Sequence, residues 1–177
     1  MNWHPPIGLA LIPSDDSMSF QVMKPHETAL PLPPHPGAYG VERAHHVHEG
    51  IDLYCAEGTP VQAVEAGTVV AIIPFTGAKA GSDWWHDTDA VLVEGVSGVV
   101  LYGEIVPAGK QVGDAVQRGE TLGHVKQVLK TDKGRPMSML HLEFHDAGTR
   151  DAFEWTLAKG KPPSLRDPTP FLRAAKP

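Results

Sequence analysis

From residue 50 onward the chain is written in short runs of β-branched and aliphatic residues, each closed by a glycine-containing turn, and this punctuation confines it to strands. Strands are expected at 51–55, 60–63, 67–74, 90–94, 98–105, 121–126 and 139–144, with AEGT, EAG, EGVSG and QRGE as turns between them. Helical spacing is scarce. One short helix is expected over 168–174, with Asp167 as N-cap and Pro168 in the first helical position, where its missing N–H costs nothing. The fold class that follows is all-β.

Upstream the pattern changes. Residues 1–40 include Pro31, Pro33, Pro34 and Pro36, which cannot donate to a ladder, and predict an irregular N-terminal arm ahead of a β domain at 41–177. Trp3, Leu9, Leu11, Ile12, Phe20 and Val22 give that arm apolar groups with which to pack over the domain. His4, His26 and His35 within it read as solvated or locally bonded groups rather than ligands. A chain of 177 residues suits one core. Its net charge of −6, without a Lys/Arg cluster, argues against nucleic acid as a partner. No apolar run is long enough to make it an integral membrane protein. Cys55 is the single cysteine, so no internal disulfide staples the fold. The apolar piece at 7–13 is short and lacks an upstream Lys or Arg, so no signal peptide is evident. As written the chain reads as cytoplasmic; a periplasmic or secreted location requires a removed signal or a specialised export route. Oligomeric state leaves no mark on the sequence.

The chemistry is concentrated in two distant segments, HEGIDL at 48–53 and MLHLEFH at 139–145. In a strand, residues i, i+2 and i+4 share a face, which groups His141, Glu143 and His145 opposite Leu140, Leu142 and Phe144. Gly50 gives the backbone freedom to bring His48 and Asp52 toward one point. Zinc takes His nitrogens and carboxylate oxygens at about 2.0–2.2 Å, and a catalytic ion keeps a position open beside three protein ligands. Spacing alone is suggestive only, since a chain with 10 histidines produces His-x-x-x-Asp pairs by chance.

The order HEGIDL, AEGTPVQAVEAGTVV, VVLYGEI, KQVGDAVQRGETLGHV and MLHLEF resembles the lysostaphin-type, or LytM-like, zinc metallopeptidases, many of which cut peptidoglycan cross-bridges. The likeness spans residues 43 to 145. It implies a small two-sheet antiparallel β fold with a groove across one Zn²⁺ ion held by His48, Asp52 and His141. The same resemblance exposes two departures. Where the family has the first histidine of its His-x-His element this chain has Met139, and where the family's Tyr-x-His ends in a second catalytic histidine it has Glu104, within Tyr102-Gly103-Glu104. The resemblance gives the first of these histidines the task of stabilising the transition state or handling protons, and a thioether suits neither. Alternation places Tyr102 and Glu104 on one face, so both are expected to look into the groove. Glu104 is either a general base, a fourth ligand closing the site, or a carboxylate facing solvent or an arginine such as Arg135. Glu143 reads as the partner that fixes a ligand imidazole, and His145 as a supplement to the site or a rim histidine. His45 and His46 either assist the site or belong to a His-rich loop, with weaker claims for His86 and His124. Arg43 binds a substrate carboxylate or a surface partner. Trp84 and Trp85, in the insertion at 75–89, form a substrate wall or fold back onto the core.

The reading that follows is a zinc metalloendopeptidase of the peptidoglycan-hydrolase type, with stem or cross-bridge peptide as partner and Glu104 as candidate base. The alternative is a zinc-binding but catalytically silent relative that recognises cell-wall peptide or a protein. A lipoyl-like hairpin with Lys126 on its turn accounts for KQVGDAVQRGETLGHVKQV but not for the histidines, and it lacks the usual residues around the lysine.

Overall fold

Each expected strand forms, and the ladders between them decide which side chains meet. The computed structural model describes residues 2–18 and 26–177. Strands are β1 (Ala10–Ser14), β2 (Glu27–Pro31), β3 (Ile51–Tyr54), β4 (Pro60–Gln62), β5 (Gly67–Thr76), β6 (Thr88–Gly95), β7 (Val99–Pro107), β8 (Ala115–Val116), β9 (Thr121–Val125), β10 (Met139–His145) and β11 (Leu165–Arg166). The helix α1 covers Thr169–Arg173, one residue inside its expected start. The Asp167 carboxylate accepts a hydrogen bond from the Thr169 N–H at 2.8 Å, which satisfies one of the free donors at that end.

The main sheet runs β11-β10-β7-β6-β5-β8, with β3 also paired to β10 and the β4–β9 pair joined through β7. All of these ladders are antiparallel. The two layers are therefore continuous through β7 rather than separate. Ile51 and Leu53 from β3, Leu140, Leu142 and Phe144 from β10, and Val61 and Leu122 from the β4–β9 pair enclose the main core. A smaller cluster of Ala71, Ala90, Leu92, Val99 and Leu101 lies apart from it.

The arm is more ordered than its prolines suggest. β1 and β2 pair in parallel, with Pro13 opposite Leu30 and Ser14 opposite Pro31. A two-stranded ladder leaves each strand an open edge, where proline is tolerated. Phe20 and Val22 lie outside the described residues. Trp3, Ile7 and Leu30 belong to the main core, and the Trp3 ring stands edge-on to Phe144 with centroids 5.2 Å apart. Trp3→Ala is expected to cost about 3–5 kcal/mol in urea denaturation, the usual loss for a buried aromatic. A loss below about 0.5 kcal/mol, typical of surface positions, would mean that the arm only rests on the domain.

β7 contains the irregularity that matters for the site. Along β6 the register passes from Asp89↔Ile105 to Val91↔Tyr102, so one extra residue is accommodated in β7. Glu104 takes it up with φ of 65°, in the left-handed region that side chains other than glycine seldom enter. β7 also changes partner there, pairing with β10 over residues 99–103 and with β9 over 105–107. Tyr102 and Ile105 consequently both point into the main core.

Candidate metal centre

Antiparallel register brings the first pair of site residues together. His141 on β10 lies directly opposite Asp52 on β3 and Gly103 on β7, so their side positions share a face. His48 arrives from the loop before β3. Gly50 is required there by close approach rather than by an unusual φ: a Cβ would sit 2.4 Å from the Leu142 carbonyl oxygen and 3.0 Å from His141 Nε2.

Three atoms converge. His48 Nε2 is 3.1 Å and His141 Nδ1 2.9 Å from Asp52 Oδ1, and the two nitrogens are 3.3 Å apart. All three side chains are buried. Separations of this size suit ligands of one tetrahedral ion with bonds of about 2.0–2.2 Å. The opposite ring nitrogens are already committed. His48 Nδ1–H donates to the Ala38 carbonyl at 2.9 Å, and His141 Nε2–H donates to Glu143 Oε1 at 3.0 Å. The lone pairs of His48 Nε2 and His141 Nδ1 are thereby left for a cation, the arrangement in which metal-bound imidazoles are usually held. The donor set fits a divalent metal.

Without the ion, the electrostatics are those of a proton in the metal's place. Burial opposes charge on His141, but its hydrogen bonds to Asp52 and Glu143 outweigh that and hold its pKa well above the ordinary value. Burial also opposes ionisation of Asp52, yet the neighbouring His48 and Arg43 hold its carboxyl far below the usual range. His48 moves the other way, pushed down chiefly by burial. Glu143 is likewise penalised by burial, and its hydrogen bonds with His141 and His145 bring it to about 2.

Several neighbours were not legible in the sequence, or differ from its reading. Arg43, expected at a substrate carboxylate or a surface partner, turns one edge of its guanidinium inward: its Nη2 donates to Asp52 Oδ2 at 2.7 Å and to the Pro36 carbonyl at 2.6 Å. The Ala38 and Pro36 carbonyls come from the arm, and a backbone acceptor has no side-chain signature to find. Phe75 lies over His141 with ring centroids 5.3 Å apart. It occupies space that Gly103 leaves, since a Cβ there would meet the Phe75 ring at 2.6 Å. The aromatic–glycine pairing spans too much sequence to be read by periodicity.

The expectation that Tyr102 and Glu104 share the groove is corrected. Tyr102 is 1% exposed in the core, with its hydroxyl accepting the Val64 N–H at 2.9 Å. The bulge breaks the alternation and leaves Glu104 among the charges of the centre. Its carboxyl feels Asp52, His141 and Arg43, and is pushed up to about 8 first by burial and then by Asp52. Glu104 Oε2 is enclosed and has no hydrogen-bond partner among the described residues. It does not join the group of three ligand atoms lying within 4.8 Å of one another.

Glu143 and His145 lie on the face of His141, as alternation requires. His145 is fully buried rather than at a rim. His46 reaches Glu49 at 3.9 Å and His45 is exposed, so neither is brought to the three ligand atoms. His124 and Arg135 are exposed as well, and His86 is half-buried. Trp84 is 62% exposed, while Trp85 forms a bridge to Leu129. Met139 is half-buried at the start of β10, opposite Tyr54.

The model of peptidase family M23 matches residues 46–152, the segment holding all three converging residues and Glu104. The chain belongs to peptidase family M23. Solved structures share its fold. The catalytic domain of the antimicrobial peptidase lysostaphin from Staphylococcus simulans is 19% identical with a TM-score of 0.51, over 77% of this chain and 89% of that one. The longer lysostaphin structure is 20% identical with a TM-score of 0.55, covering 78% of this chain and 49% of that one. The cbpa structure from L. salivarius REN is 18% identical with a TM-score of 0.51, over 77% of this chain and 84% of that chain. No curated protein matches the sequence. This M23 member is thus a lysostaphin-like, all-β protein, and among its described residues no helix is long and apolar enough to cross a membrane.

Proposed function

We propose that this M23 member is a zinc-dependent endopeptidase acting on peptidoglycan stem or cross-bridge peptides, with Glu104 handling protons. The observation that carries the reading is Glu104 Oε2, enclosed without a hydrogen-bond partner among the described residues, on a left-handed bulge close enough to feel the charges of Asp52 and His141. Zinc held by His48 Nε2, Asp52 Oδ1 and His141 Nδ1 supplies Lewis acidity toward a peptide carbonyl and toward the attacking water.

The remaining work belongs to the chain. A cation at the centre favours the ionised form of Glu104, the form a general base requires. Glu104 Oε2 then takes a proton from the attacking water and returns it to the leaving amine. A carboxyl whose pKa stands near 8 before the cation enters is close enough to neutrality to work in both directions. Arg43 and Ala38 hold Asp52 and His48 in their ligating orientations, and Phe75 shields one side of His141.

A second reading has a specific basis: the family's two catalytic histidine positions hold Met139 and Glu104. On that reading the chain binds zinc and cell-wall peptide or a protein partner without cutting. Metal analysis of the purified protein, beside an assay for peptides released from purified peptidoglycan, separates the two. The peptidase reading expects about one zinc per chain, release of peptides, loss of release on chelation and its return on adding zinc. Zinc content without any release would favour the binding module, and release that survives complete chelation would sink the mechanism.

A further inference from the structure

The buried polar face of β10 continues past the ligand, and its continuation ends outside the family-matched segment. Glu143 and His145 are 3% and 0% exposed, so both are held in surroundings that penalise unpaired polar atoms. Glu143 uses both carboxylate oxygens. Oε1 accepts from His141 Nε2 at 3.0 Å and Oε2 from His145 Nε2 at 2.7 Å. A carboxylate only accepts, so each of those nitrogens must carry the hydrogen. His145 Nδ1 is in turn 3.2 Å from Ser164 Oγ, a hydroxyl able to donate to it. Ser164 is fixed by backbone: its carbonyl accepts the Asp146 N–H at 2.8 Å, and the next residue, Leu165, pairs with His145 in the β10–β11 ladder.

Packing closes the other side of His145. The backbone at Gly98 approaches His145 so closely that a Cβ there would stand 2.4 Å from the His145 carbonyl oxygen, which leaves room for glycine alone. The Phe153 ring meets the His145 imidazole edge-on at 6.5 Å. A glutamate bonded to one imidazole alone is free to rotate its carboxylate and let that imidazole turn. Bonded to two, with the second anchored by Ser164, it is held in one orientation.

We infer that Ser164, His145 and Glu143 form a hydrogen-bonded relay that positions His141 as a metal ligand, which makes His145 a positioning residue for the metal centre. The inference rests on the reading of His48, Asp52 and His141 as ligands. The mechanism is orientational: the relay keeps the hydrogen on His141 Nε2, leaves the Nδ1 lone pair available, and fixes the ring plane toward Asp52.

The test is zinc affinity by chelator competition, with the visible spectrum of the Co²⁺-substituted protein as a report on ligand geometry. The variants are His145→Gln, His145→Asn, His145→Leu and Ser164→Ala. A glutamine amide reaches the Nε2 position and can still donate to Glu143; an asparagine amide reaches only the Nδ1 position. The relay predicts zinc affinity about 10–100-fold weaker in His145→Asn and His145→Leu, with an altered Co²⁺ spectrum. His145→Gln is expected to stay within about threefold of wild type, a single hydrogen bond's difference. Ser164→Ala, at a half-buried position that keeps the Glu143–His145 pair, guards against misfolding of the core variants and should weaken binding by about 2–10-fold. Equal losses in the glutamine and asparagine variants would indicate packing alone and overturn the relay. So would wild-type affinity and spectrum in all four. A wild type that binds neither ion would sink the ligand reading as well, which distinguishes that failure from the relay's own.

Discussion

Glu104→Gln is expected to retain zinc, lose about 10²–10⁴-fold in peptide release, and yet be more stable than wild type in the metal-free form at alkaline pH. The two effects have one origin. Glu104 is held in an enclosed position beside Asp52, and its pKa is pushed up from an ordinary 4.5 to about 8. The sign follows from proton uptake: between those values the folded state holds a proton that the unfolded chain has released. Stability associated with this group is therefore fully present below the unfolded value and is lost as pH rises through the folded one. Glutamine keeps the shape without the charge. After discounting for partial exposure and relaxation, metal-free Glu104→Gln should gain about 2 kcal/mol over wild type at pH 9 and little at pH 4. Urea denaturation at the two pH values, with and without zinc, reads this directly. Zinc should erase the difference, because a cation compensates the carboxylate. Parallel curves at both pH values in the metal-free proteins would refute the enclosed, charge-facing placement of Glu104.

His141→Ala is expected to abolish zinc binding and to destabilise even the metal-free protein by about 3–5 kcal/mol, the usual effect of removing one partner from a buried charge pair. His141 stands between two buried carboxylates, donating to Asp52 at 2.9 Å and to Glu143 at 3.0 Å. Its removal leaves a partner-depleted pair of acids in the sheet. The pH window is set by two opposite signs. Glu143, depressed to about 2, contributes stability above its ordinary value that disappears as pH falls toward 2. His141, raised well above 6.5, contributes below its ordinary value and loses that contribution as pH rises through the raised one. The difference between wild type and variant should therefore be largest near neutral pH and shrink in acid. A pH-independent difference under chelation would mean that a cavity, and not the charge pair, dominates the loss.

The sequence carried the strand positions and the polar face of His141, Glu143 and His145 because both depend on a periodicity it displays. The grouping of His48 and Asp52 with His141 came from the family resemblance, spacing alone being only suggestive. Apolar alternation tells the faces of β10 apart, and once β3 and β7 pair with it the opposing positions follow. What it could not carry was a break in alternation. Tyr102 and Glu104 are two residues apart and were expected on one face; Tyr102 follows Val100 into the core, and the extra residue at the bulge turns Glu104 away from that face to the charges of the centre. Bulges arise from how two strands pair, so a single strand's pattern does not announce them. The arm was misjudged for a related reason. Its prolines correctly forbid a central strand, but they do not forbid the paired β1 and β2, and the Pro36 and Ala38 carbonyls act through backbone atoms that every residue type possesses.

Those carbonyls, with Ser164 on the far side, give the domain two different outlines. The outline drawn by ancestry runs from 46 to 152 and contains every atom that would touch a metal. The outline drawn by physics is wider, because the hydrogen bonds that settle where His48 keeps its hydrogen and how Asp52 and His141 are aimed reach back to Pro36 and Ala38 and forward to Ser164. A module excised along the first outline would be a set of ligands without the framework that makes them a site. Transplanting this centre, or comparing it with relatives, therefore has to be done on the wider unit.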